Sequence, residues 1–226
     1  MPVSATSNGL PGLKSQRTVT PRNVFVGNQV TYLPGGKILD GSKARDPGNT
    51  GDLDVLRAGM LLGKITSGGK YAPAILGLTT NAEAIGSTSI EAAAAVVTEL
   101  VRRVGASGTF KLTGPATANG VVETETVTYS AASGTTITCT ALTKAFIAGS
   151  FIQPTDGIET PLTILDQPVG GLKVTDADGT SIDVQLAQIP ISGVVDSSQI
   201  VHWPSDTSLQ AWIMTRLPNF RYDHLF

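Results

Sequence analysis

Leu56-Arg57-Ala58-Gly59-Met60-Leu61-Leu62-Gly63-Lys64-Ile65-Thr66-Ser67-Gly68-Gly69-Lys70-Tyr71 is the stretch whose reading decides the fold. An apolar run containing Met60, Leu61, Leu62 and Ile65 gives way to Thr-Ser-Gly-Gly and then to Lys-Tyr. This is the pattern of a strand that turns back on itself through residues accepting positive φ. The stretch predicts a β-hairpin, and nothing in it is chemically reactive. Ala72-Pro73-Ala74-Ile75-Leu76-Gly77-Leu78-Thr79 continues the return strand, with Pro73 marking an edge or a bulge.

Outward from the hairpin, the composition limits what the chain can be. Its 226 residues suffice for one large domain or two small ones with a substantial core. Charged residues make up only 15%, below the usual share for a soluble domain, so the surface must be built largely from Thr, Ser, Gly and Gln. Such a surface suits extended β-structure and subunit packing. A net charge of −2 and a pI near 5.6 argue against direct nucleic-acid binding, which needs clustered Lys and Arg. The single Cys139 rules out an intramolecular disulfide and reads as a packing residue rather than a nucleophile. The N-terminus lacks a basic start and an apolar segment, so no secretory signal is expected. No apolar run approaches the roughly 18 to 20 residues that cross a bilayer. Synthesis in a cytoplasm, with no membrane partner, is the expectation.

Residues 1–50 are rich in Gly, Pro, Ser and Thr, and their prolines forbid a long helix or central strand. Val24, Val26, Val30 and Tyr32 alternate around Gly27, with Phe25 among them. The segment is expected to be an extended arm able to add a strand to a neighbour. A change of character follows Gly86. Thr88-Ser89-Ile90-Glu91 has capping-box spacing, and Ala93, Val97, Leu100, Val101 and Val104 recur at helical spacing up to Gly105. Glu99, Arg102 and Arg103 fall on other faces. Strands are predicted at 109–113, 121–129 and 135–142, so that residues 87–153 form an inserted α+β module. The body is then a discontinuous core of 51–86 and 154–226. Within it, Asp156-Gly157 makes a turn before Pro161-Leu162-Thr163-Ile164-Leu165, and Asp176-Ala177-Asp178-Gly179 makes a hairpin turn. Pro204-Ser205-Asp206 precedes a short amphipathic helix carrying Leu209, Trp212, Ile213 and Leu217, ended by Pro218. The aromatic tail at 219–226 is expected to dock on its own domain or on a neighbouring subunit.

Reactive constellations are sparse. His202 with Asp206 and some serine makes a weak case for a triad, with no Gly-x-Ser-x-Gly elbow. One Cys and two His are too few soft ligands for zinc. Gly36-Lys37, Gly63-Lys64 and Gly69-Lys70 lack the rest of a P-loop. Asp176-Ala177-Asp178-Gly179 lacks the ligand spacing of a calcium loop. Glu123 and Glu125 share a strand face, read as solvated. Phe110, Tyr129 and Phe146 read as core. No catalytic, cofactor or metal residue is assigned, and the chain is not expected to be an enzyme.

The hairpin acquires a partner in Asp156-Gly157. Gly59, Leu62, Gly63, Lys64, Gly69 and Tyr71, followed much later by Asp156, Gly157 and Ile164, resemble the core of the head decoration proteins of tailed bacteriophages, the family of the lambda decoration protein. The likeness covers about 50–80 and 155–195, and an interruption of some 70 to 80 residues departs from the simpler members. It implies a mainly β fold with some α: a small β-barrel or β-tulip-like decoration core carrying the inserted module and the arm. It further implies a non-enzymatic cement protein on the outer surface of the virion capsid. Such a protein is a homotrimer that binds the major capsid protein, here through the arm residues Val24, Phe25, Val26, Val30 and Tyr32. A tail or other virion accessory protein contacting a host surface, or a hydrolase of surface polymers, are the competing expectations.

Overall fold

The computed structural model describes residues 23–27, 30–49, 55–170, 172, 183–186 and 188–223. Its strands are β1 (Thr31–Leu33), β2 (Lys37–Leu39), β3 (Leu61–Lys64), β4 (Tyr71–Pro73), β5 (Gly77–Leu78), β6 (Ser89–Glu91), β7 (Gly108–Pro115), β8 (Val122–Ser133), β9 (Thr136–Cys139), β10 (Phe151–Pro154), β11 (Thr163–Ile164), β12 (Val184–Leu186), β13 (Ile189–Asp196) and β14 (Phe220–Asp223). Helices α1 (Ala94–Val104) and α2 (Thr207–Arg216) complete a mainly β fold. The strands form three sheets, ordered β1-β13-β14, β11-β3-β4-β2-β12 and β5-β10-β7-β8-β9-β6.

The hairpin forms as the pattern predicts. β3 and β4 pair antiparallel with Gly63 opposite Ala72 and Lys64 opposite Tyr71. β11, carrying Ile164, pairs with the other edge of β3. Pro73 lies beyond the single β2–β4 pairing at Leu39 and Tyr71, where its missing N–H removes no ladder bond. Leu39, Leu62, Met60, Tyr71 and Leu165 close one core over this sheet. Val24, Leu61, Ile75, Phe151, Ile164, Leu209, Ile213 and Phe220 form a second, under α2.

The helix-bearing module has a third core, in which Leu76, Ile90, Val97, Leu100, Phe110, Tyr129, Ile137 and Phe146 meet. Its sheet reaches past the expected limits of 87–153, because β5 and Pro154 of β10 belong to it. β8 is longer than its alternation indicates, running 12 residues with an irregularity between Tyr129 and Ala131.

Two readings of the module's helix are corrected. Ser89, Ile90 and Glu91 do not cap the helix; they form β6, paired with β9. The N-cap is Ala93, with no side-chain hydrogen bond. A capping interaction is worth about 1 kcal/mol, whereas the strand buries Ile90 completely against Ile137, worth roughly 2 kcal/mol. Tertiary pairing therefore wins. Glu99 and the side chain of Arg103, expected away from the apolar face, are buried.

The second helix begins as predicted, with Asp206 accepting from the amides of Ser208 and Leu209. The aromatic tail docks in cis as far as Asp223, β14 lying parallel to β13; residues 224–226 fall outside the described set. The turn predicted at Asp176-Ala177-Asp178-Gly179 also falls outside it, and β12 pairs with β2.

Candidate functional site

The residues proposed as a free capsid-binding arm are woven into the body, which corrects the expected extent of the arm. Val24 is 1% exposed. Phe25 bridges Val195 in antiparallel sense and lies 6.1 Å from the Phe220 ring. The Val26 amide donates to the Val194 carbonyl at 2.8 Å. Val30 is half-buried just ahead of β1, and Tyr32, within β1, donates its hydroxyl to Asp166 at 2.5 Å. Burial, then that hydrogen bond and the carboxylate charge, push the Tyr32 phenol up to about 12. The strand edge that 24–26 and 31–33 satisfy is β13 of their own chain. An edge within the same chain costs no association entropy.

The hairpin and the Asp156-Gly157 segment interlock through close backbone approach. A Cβ on Gly63 would lie 2.0 Å from the Ile158 carbonyl oxygen. Gly157 has φ +98°, and its missing Cβ leaves room for the Thr66 hydroxyl, while the Thr66 amide donates to the Asp156 carbonyl at 3.0 Å. Gly59 binds both neighbours: its amide donates to Leu165 at 2.7 Å and its carbonyl accepts from Val201 at 3.0 Å. Leu62 and Ile164 are fully buried beside them.

Asp156 also ties the module to the body. Its carboxylate accepts from Lys43 at 2.8 Å and from Arg103 of α1 at 3.4 Å. Arg103 in turn donates to the Pro73 carbonyl at 3.1 Å, and its side chain is 1% exposed. Arg102 pairs with Glu99 at 2.6 Å and donates to the Ser42 carbonyl. Burial acts to raise the Asp156 pKa, but the charges and hydrogen bonds of Arg103 and Lys43 outweigh it and hold the carboxyl below its ordinary value. The sequence marks Asp156 only as a turn residue. Its partners lie 53 and 113 positions away, so no local pattern reports them.

The residues weighed as chemical candidates lie in separate surroundings. Asp206 uses Oδ1 for the α2 amides and Oδ2 for the Asn119 amide at 2.7 Å. His202 sits at φ +62° with Nε2 buried and unpartnered. Burial pushes it down to about 4, against Asp46, which raises it, and with Arg57, which lowers it, so it is neutral near pH 7. No relay joins the two. Glu123 pairs with Lys144 at 3.3 Å, and Glu125 accepts the amides of Thr143 and Lys144. Burial, then the charges of Glu83 and Glu125, push the Cys139 thiol up to about 11. Phe110, Tyr129 and Phe146 are core. Among the described residues no cluster of three or more His, Cys, Asp or Glu is arranged to hold a metal.

Two cavities open beside the five-stranded sheet. One, of about 380 Å³, is walled by Tyr32, Asp166, Gln167, Gln185 and Gln188. The other, of about 270 Å³, lies between residues 35–38 and 68–70 and shares Gln185. The Tyr32 hydroxyl and the Asp166 carboxylate that accepts from it meet in the wall of the first.

No family model, no curated protein and no solved structure matches the chain.

Proposed function

We propose that this chain is a non-enzymatic virion protein that binds the outer surface of the expanded capsid of a tailed phage and stabilises it as a trimeric cement. The observation carrying this reading is the closure of the two distant stretches of the resemblance on each other. Gly63 against Ile158 and Gly157 against Thr66, with Ile164 paired to Leu61, join the two halves of the body core that the sequence separates. The module of residues 76–154 interrupts that core. The major capsid protein is the partner, and the arm role falls to residues 1–22, because 24–26 and 30–39 belong to the body.

Cementing works by avidity. A closed three-fold trimer presents identical surfaces to several shell subunits, so weak contacts act jointly at high effective concentration. A ligand selective for the expanded shell stabilises that state by mass action.

The test adds purified chain to expanded shells lacking it, with cryo-electron microscopy to locate it and calorimetry to follow shell melting. Density at three-fold positions and a raised shell melting temperature are expected. Deleting residues 1–22 should leave a folded trimer with weaker shell binding, whereas deleting 1–45 should unfold the protein by removing Val24, β1 and β2. Failure of the intact chain to bind expanded shells refutes the proposal, as does hydrolytic turnover of surface polymers that disappears on substituting His202 and Asp206.

A further inference from the structure

We infer that the end of the five-stranded sheet where the chain's three Gly-Lys pairs meet is a binding site for a small oxyanion, a phosphate or carboxylate group. None of the three pairs signals a site by itself. The topology assembles them. β2 and β4 run parallel, in register at Leu39 and Tyr71, and each is entered through the same tripeptide, Gly35-Gly36-Lys37 and Gly68-Gly69-Lys70. β3 runs antiparallel to β4 and ends at the same place, with Lys64 opposite Tyr71. Three ammonium-bearing residues are thus delivered to one sheet end, where Lys37 and Lys70 line the cavity of about 270 Å³ and Lys64 lies against Gly69 of its wall.

Charge and shape favour an anion there. Lys70 is neutralised by Asp183 at 2.8 Å, and Asp183 also accepts the Gly41 amide. The nearby Asp40 carboxylate is occupied by the amides of Ser42 and Lys43. Among the described residues, the Lys37 and Lys64 side chains form no ion pair or hydrogen bond. Lys37, Lys64 and Lys70 set against the carboxylates of Asp183 and Asp40 leave one net positive charge about the cavity, with the ammonium groups of Lys37 and Lys64 unpaired. Both turn tips have open space above them, since a Cβ on Gly35 or Gly68 would meet nothing within 4 Å. Gly69 lets the Lys64 stem lie across its turn, 3.3 Å from where a Cβ would stand. Lysine serves such groups as a point charge on a flexible stem. A nucleic-acid backbone would instead need a row of cations matched to successive phosphates, whereas among the described residues Lys37 and Lys64 stand at a single sheet end.

The test titrates the isotope-labelled full-length protein with inorganic phosphate and, separately, with glutarate, following backbone amides by NMR at constant ionic strength set with sodium chloride. Saturable shifts centred on residues 35–37 and 68–70 are expected, with dissociation constants on the order of millimolar. Lys37→Gln should weaken binding about tenfold, and adding Lys64→Gln should abolish saturation. Lys144→Gln, a distant charge control, should change nothing. Phosphate binding more tightly than glutarate marks a phosphate-type site, and the reverse a carboxylate site; either supports the inference. Shifts that never saturate, that sodium chloride reproduces, or that survive within twofold in the double variant overturn it.

Discussion

Asp156→Ala tests the tie between module and body. The substitution leaves the Arg103 guanidinium, 1% exposed, without its carboxylate and frees Lys43. Removing one partner of a fully buried pair costs about 3–5 kcal/mol. Asp156 is 24% exposed and its contact with Arg103 is a long one at 3.4 Å, so the loss should be about 2–3 kcal/mol after allowing for solvent screening. Arg103→Met removes the stranded charge while keeping the stem's apolar contacts. The double variant should then regain about 1–2 kcal/mol over Asp156→Ala alone, a coupling within the usual range for contacting residues. Urea unfolding followed by the fluorescence of Trp203 and Trp212 at pH 7 reads all four corners of the cycle. The pH dependence supplies an independent check. The folded carboxyl is held below its ordinary value of 3.8, so its contribution is fully present above that value and is lost as pH falls through the lower folded pKa. Wild type and Asp156→Asn should differ at pH 7 and converge in strong acid. A loss below about 1 kcal/mol, or strict additivity of the two substitutions, would refute the reasoning.

Gly63→Ala should destabilise by about 3 kcal/mol or more, because the new methyl meets the main-chain oxygen of Ile158 at 2.0 Å; a melting temperature within a degree of wild type would show that the backbone yields freely. Cys139, whose thiol is pushed up to about 11, should react with a disulfide reagent at pH 8 about two orders of magnitude more slowly than a free cysteine thiol. Reaction at the free-thiol rate in native conditions would contradict its burial.

Much of the architecture was legible locally. The Leu56-to-Tyr71 pattern, the alternation of β8 and β9, the Gly105 stop and the Asp206 start all express propensities that the tertiary structure leaves in force. The failures share a cause. Thr88-Ser89-Ile90-Glu91 satisfies a helix-start rule, but Ile90 gains more by burial beside Ile137. Val24 and Phe25 alternate as a free strand would, and the sequence does not say whose edge they join. Arg103 falls off the apolar face of its helix, yet the fold sets it against Asp156. The Gly-Lys pairs were visible one at a time, but their convergence depends on β2 lying parallel to β4, and that pairing joins residues too far apart in the chain for any window to detect.

β10 carries a consequence for how the module can change over time. Phe151 enters the core beneath α2 and lies 5.6 Å from the Trp212 ring, while its neighbour Ile152 enters the module's core. One strand thus serves as a party wall, with a different tenant on each face. Any replacement module must end in a strand presenting apolar side chains to both sides, and must begin beside β5, which pairs with β10 at Phe151 and Ile152. The span between those two strands, residues 79–150, is the cassette so bounded, and a graft there must also replace the ties that Arg103 and Asn119 make to Asp156 and Asp206 of the body.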